Sequence, residues 1–271
     1  MNSFICVTCG TQFPPSDTAP ALCPICTDER QFVPPAGQAW TTLERLRRSH
    51  MTAFRDESGL IGIGTSPGFG IGQRALLIRT PDGNILWDCI SVIDPVSVEL
   101  IKGLGGLCHI AISHPHYYTT MLEWSRAFGD IPIHLHAADR QWVMRDGPAI
   151  AYWQGLTKEI APGLTLIRCG GHFAGGQLLH WAAGAGGKGA LMSGDILQVV
   201  ADGKHLGFMR SYPNYIPLGA AAVRKIAEIV EPWPFEAIYG AFWNRVIPRD
   251  AKQALATSIE RHIQWVERDL L

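Results

Sequence analysis

Three short segments constrain this chain more than anything else in it. His114-Pro115-His116 follows the apolar run His109-Ile110-Ala111-Ile112-Ser113, Gly170-Gly171-His172 follows a second strand-like run, and Ser193-Gly194-Asp195 closes a third. Side chains placed just past the ends of neighbouring strands can gather at one rim of a sheet. Imidazole nitrogens and a carboxylate are the donors that suit zinc and iron. The chain is therefore expected to fold around a sheet with a metal centre at its edge.

A length of 271 residues allows one large domain or two smaller ones, with a sizeable core. Apolar residues at 47% and charged residues at 17% give a globular composition, not a disordered one. Net charge is −1 and no basic block exceeds Arg47-Arg48, which argues against nucleic acid as a partner. No apolar stretch approaches the roughly 20 residues that span a bilayer, so no membrane partner is expected. The opening Met-Asn-Ser-Phe-Ile-Cys lacks the features of a signal peptide. A cytoplasmic protein is expected, in which cysteines serve as thiolate ligands or buried thiols.

Four of the seven cysteines stand as Cys6-x-x-Cys9 and Cys23-x-x-Cys26. Two knuckles at this spacing predict a tetrahedral four-thiolate zinc site resembling a short zinc ribbon or rubredoxin-like pair. Such a site is structural, because four thiolates leave no open position for chemistry. Residues 1–38 are too few to fold without this staple. Cys89, Cys108 and Cys169 lie in or beside strand-like runs and read as core residues.

Thr41 and Glu44 have capping-box spacing, and Leu43, Leu46, Met51 and Phe54 follow at roughly helical intervals. An amphipathic connecting helix is expected over residues 39–57. From residue 58 onward strand-like and helix-like segments alternate. Strands are predicted at 75–80, 84–89, 109–113, 131–136, 164–169, 177–182, 189–193 and 236–240. Helices are predicted after Asp94-Pro95, at 121–128, at 218–230 and from Asp250. Taken singly, His109, His134, His136 and His180 read as satisfied core histidines.

The segments Ser113-His114-Pro115-His116-Tyr117-Tyr118-Thr119, Gly171-His172 and Ser193-Gly194-Asp195 resemble, in order, landmarks of the metallo-β-lactamase superfamily. The resemblance covers roughly residues 58–271. It implies an α+β fold, the αββα four-layer sandwich, with a metal site at one edge of two packed sheets. By motif, His114, His116 and His172 match the histidines of the family's first metal site, and Asp195 matches the carboxylate that usually bridges two metals. Tyr118 and Thr119 stand where the family has Asp and His, and Phe242 stands where it has its last His. The second metal site is thus degenerate, and a mononuclear centre is implied.

A metal-dependent hydrolase follows, using a mononuclear zinc-bound water on a small-molecule ester, lactone, thioester or amide. Asp195 is a ligand or the base that orients the water. Tyr118 is assigned a catalytic hydrogen bond to the developing oxyanion, with packing into the lost site as the alternative. Two rivals differ in class: a mononuclear Fe2+ oxygenase resembling persulfide dioxygenases, and a non-catalytic ligand-binding protein. Arg210 is expected in a surface salt bridge, with grip on a substrate carboxylate as the alternative. Substrate specificity is placed in the loops at 145–160 and 200–217.

Overall fold

The structure, a computed structural model, describes residues 1–268. Asn2–Cys6 (β1) and Gln12–Ser16 (β2) pair antiparallel, and the turn between them carries Cys9. Cys23 caps the single helical turn Pro24–Thr27 (α1), which carries Cys26. Trp40–Thr42 (β3) completes this small sheet by pairing with β1, so its third strand comes from beyond residue 38.

The helix expected over residues 39–57 is absent. Thr42, not Thr41, caps one turn at Leu43–Leu46 (α2) by accepting from the Arg45 amide. Met51–Glu57 (β4) then pairs residue for residue with Leu60–Ser66 (β5) across the Ser58-Gly59 turn. The helical spacing of Leu43, Leu46, Met51 and Phe54 is coincidental. A two-residue turn ending in Gly is a hairpin signal, and the ladder it closes outweighs the short helical period.

Ala75–Ile78 (β6) and Ile85–Trp87 (β7) continue the antiparallel series. Pro95–Gly103 (α3) then leads into His109–Ala111 (β8), and Met121–Ala127 (α4) into Ile133–His136 (β9). These strands and Ile150–Trp153 (β10) add in parallel. The result is a seven-stranded sheet in the order β10-β9-β8-β7-β6-β5-β4.

The second sheet begins with Thr157–Ala161 (β11), Leu164–Arg168 (β12) and Gln177–Trp181 (β13). After a turn at Gly184–Gly187 (α5) comes Ala190–Gly194 (β14). Two ribbons follow, Gln198–Val199 (β15) with Leu206–Gly207 (β16), and Met209–Ser211 (β17) with Ile216–Pro217 (β18). Ala220–Val230 (α6) crosses back to Ala237–Gly240 (β19), Val246–Ile247 (β20) forms the edge, and Ala251–Glu267 (α7) is the last element among the described residues. The sheet runs β11-β12-β13-β14-β19-β20.

Side chains alternate across each sheet. Leu76, Ile78 and Trp87 meet Leu164, Leu166 and Met192 between the two sheets. Leu77, Leu86 and Ile110 face outward to Ile101 and Met121 beneath α3 and α4. Ile167, Leu178 and Ile238 face the other way, to Val223, Ile226 and Leu255 beneath α6 and α7. Helix, sheet, sheet and helix layers make the expected αββα sandwich. Among the described residues, no helix is long and apolar enough to cross a membrane.

Candidate metal centre

Each donor sits just beyond a strand end. After β8 the chain makes a tight turn at Pro115–Tyr117, flanked by His114 and carrying His116. Asp88, past the end of β7, holds this loop by accepting from the Ser113 amide at 2.7 Å. His172 lies in the β12–β13 loop, and Asp195 follows β14 directly. Gly194 has φ +53°, and a Cβ there would fall onto the Ser113 hydroxyl. Only glycine lets the Asp195 strand end approach the histidine loop this closely.

The four donors lie within 4.8 Å of one another and all are buried. His172 Nε2 is 3.2 Å from His116 Nδ1, and His114 Nε2 is 3.8 Å from Asp195 Oδ2. Donors about 2.0–2.1 Å from a tetrahedral zinc ion lie roughly 3.3 Å apart, so the cluster has the right spread. His172 Nδ1 donates to the Met209 carbonyl at 3.2 Å, which turns its unprotonated Nε2 inward. His114 Nε2 is buried with no hydrogen-bond partner.

Burial pushes His114 and His116 well below the ordinary imidazole range and His172 down to about 4. All three rings are neutral at physiological pH and offer lone pairs. Burial also raises the Asp195 carboxyl to about 7, opposed by the Tyr117 hydroxyl, which donates to Oδ1 at 2.5 Å. An adjacent cation restores the charged form. Neutral rings, an orphaned nitrogen and a buried carboxylate fit a divalent metal.

The structure thus brings together His114, His116, His172 and Asp195. Tyr118 is elsewhere. It packs with Met121 and Leu122 under the first sheet, and the neighbouring Tyr117 reaches the cluster instead. Burial raises the hydroxyl pKa of both tyrosines. Thr119 is occupied by the cysteine unit, its carbonyl accepting from the Gln12 amide. Phe242 lines the cavity in front of the cluster.

Cys6, Cys9, Cys23 and Cys26 form the second donor group. Cys6 and Cys26 Sγ are 3.5 Å apart, and Cys9 and Cys23 Sγ 3.7 Å. Thiolates about 2.3 Å from a tetrahedral zinc ion lie roughly 3.8 Å apart, so this group also fits. Gln38 clasps it, donating to Cys6 Sγ at 3.0 Å and accepting from the Cys23 amide at 3.3 Å. All seven cysteines are free of disulfides.

A cavity of about 400 Å³ opens onto His116, His172 and Asp195. Thr8 and Arg30–Phe32 of the cysteine unit wall one part of it, and Tyr212 and Pro213 from the expected 200–217 loop wall another. The 145–160 segment contributes nothing to this lining; much of it is β10 and β11. Arg210 forms the expected salt bridge, to Glu29 at 2.7 Å. His109 bonds His134, while His136 and His180 bond the Gly155 and Pro234 carbonyls.

The sandwich with its donors at one rim defines a metallo-β-lactamase-fold protein. The metallo-β-lactamase FIM-1 of Pseudomonas aeruginosa, in its mono-zinc form, superposes with TM-score 0.54 at 14% identity, covering 78% of this chain and 95% of that one. The VMB-1 structure superposes with TM-score 0.58 at 10% identity, covering 79% and 97%. The chain belongs to the family of YmaE, an uncharacterised protein of Bacillus subtilis strain 168. The two are 44% identical over 273 residues, which covers 100% of this chain and 99% of YmaE. No family model matches the chain.

Proposed function

We propose that the protein is a metal-dependent hydrolase with a single zinc ion held by His114, His116, His172 and Asp195. A second zinc ion, bound by the four cysteines, is structural. The observation that carries the proposal is the convergence of three neutral imidazoles and one carboxylate at the floor of a small-molecule cavity. A mononuclear centre is supported by the side chains at the positions of a second metal, where Tyr118 is core and Phe242 is cavity wall. Disulfide-free cysteines suit the reducing cytoplasm.

Zinc in this donor set would supply the Lewis acidity to activate water near neutral pH and polarise a carbonyl. The protein does the rest. Phe32, Ile71 and Phe242 limit water around the substrate. Tyr117 occupies Asp195 Oδ1 and so fixes the carboxylate plane. Asp195 would hold the ion through Oδ2, which is turned towards His114, while Oδ1 stays with Tyr117. The substrate is an ester, lactone, thioester or amide. Tyr117, rather than Tyr118, is the tyrosine of the site, and its hydroxyl is committed to Asp195.

The test is reconstitution. Chelator-stripped protein is reloaded with Zn2+ or, anaerobically, with Fe2+, and assayed on esters, lactones, thioesters and amides beside an oxygen electrode. Turnover returns with Zn2+, without oxygen uptake, and is absent from His172→Ala. Oxygen consumption by the iron form with no hydrolysis replaces the proposal with an oxygenase. No turnover in any form, with a ligand still bound, leaves a binding protein.

A further inference from the structure

The four-cysteine unit stands over the histidine cluster and forms one wall of the cavity in front of it. Its backbone there is pinned: Ser211 Oγ donates to the Arg30 carbonyl at 3.2 Å, and Asn214 Nδ2 donates to the carbonyls of Glu29 and Gln31 at 2.8 and 2.9 Å. A wall held this firmly presents its side chains in fixed places.

The charges of the lining are already spent. Arg30 is gripped by both carboxylate oxygens of Asp28, at 2.5 and 2.8 Å. Its remaining nitrogen donates to the His172 carbonyl at 3.3 Å, and its guanidinium lies 3.9 Å from the centre of the Phe173 ring. Asp195 belongs to the donor set. No free side-chain charge remains on the cavity wall to hold an ionised group away from the metal. What remains is apolar surface, the Thr8 and Tyr212 hydroxyls and two neutral amides. Phe32 is 44% exposed, whereas Gln31 is 6% exposed. The side-chain oxygens of Gln31 and Gln198, both lining residues, are buried without a hydrogen-bond partner. Such an oxygen is costly to leave unpaired, so a bound molecule whose neutral polar group draws the amide into a hydrogen bond gains by doing so.

We propose that the cysteine unit determines the substrate: Phe32 and Gln31, with Gln198, select an uncharged molecule with an apolar body and a neutral hydrogen-bonding group. The cavity's about 400 Å³ suits a small ligand. The proposal rests on the hydrolase reading only where turnover is the readout.

The zinc-loaded protein is assayed with p-nitrophenyl acetate, p-nitrophenyl hexanoate, and three further esters whose six-carbon acyl chains end in carboxamide, carboxylate or ammonium. The hexanoate is expected to exceed the acetate about tenfold in kcat/KM, through KM. The carboxamide ester keeps this advantage, and the two charged esters lose it. Phe32→Ala brings the hexanoate-to-acetate ratio towards one, and Gln31→Leu lowers the carboxamide ester about fivefold against hexanoate. Charged esters turned over as well as hexanoate, or unchanged ratios in both variants, overturn the proposal while leaving the hydrolase reading intact. A second arm follows N-hexylacetamide by saturation-transfer NMR. Contact with the wild type that Phe32→Ala loses supports the proposal even where no ester is hydrolysed, and then only the hydrolase reading falls. Equal contact with both proteins, or contact with neither, overturns the proposal.

Discussion

Asp195 reaches its place through two neighbours, the Tyr117 hydroxyl on Oδ1 and the glycine before it, whose missing Cβ makes room for Ser113. Removing the hydroxyl leaves a buried carboxylate oxygen without its donor and frees the carboxylate to rotate. Tyr117→Phe is therefore expected to weaken metal binding at the histidine site about 10- to 100-fold, as loss of an outer-shell partner does, read by competition with a chromophoric chelator. Gly194→Ala combines a strained φ with overlap at Ser113, and is expected to cost about 1–3 kcal/mol by denaturant unfolding and to lower metal content. The four donors were legible because their chemical types are few and each follows an apolar run. The choice between Tyr117 and Tyr118 was not. It depends on the phase of the tight turn at Pro115–Tyr117, which sends one ring to Asp195 and the other into the core.

Between elements, a buried ion pair ties the two sheets together near the site. Arg74, just before β6, meets Glu57 at the end of β4 at 2.9 Å, with side chains only 1% and 2% exposed. Arg74 also donates to the Gly240 carbonyl on β19, and Glu57 accepts from the Asn244 amide. Glu57→Ala strands the guanidinium in the interior. A loss of about 3–5 kcal/mol is expected in urea titrations, and a change below about 1 kcal/mol contradicts this account of the pair. Beside it, the Trp243 indole fills the space over Gly64, where a Cβ would overlap the ring. Trp243 is only partly buried, so Trp243→Ala uncovers the strand glycines beneath it and should cost about 1–3 kcal/mol in the same measurement. The helices and most strands of the sandwich were readable from apolar runs and from the capping Asp94-Pro95, whereas β5, β10, β11 and β20 were not. Residues 39–57 were not, because four apolar side chains happened to fit a helical period that the Ser58-Gly59 hairpin overrides.

At the scale of the molecule, two donor groups are joined by one short stretch of chain. Cys26 is followed by Asp28 and Arg30, and Arg30 holds the His172 carbonyl. The sequence announced both groups but not their union, since contacts such as Arg30 with His172, 142 positions apart, leave no local signal. Cys23→Ser/Cys26→Ser should remove the thiolate ion, lower the melting temperature, and make the other ion easier to extract by chelator. The central claim is that the histidines and Asp195 hold an ion of their own. Metal content per chain by inductively coupled plasma mass spectrometry tests it most directly, comparing wild type with His114→Ala/His172→Ala. Two zinc ions in the wild type and one in the variant are predicted; one ion in both would contradict the account.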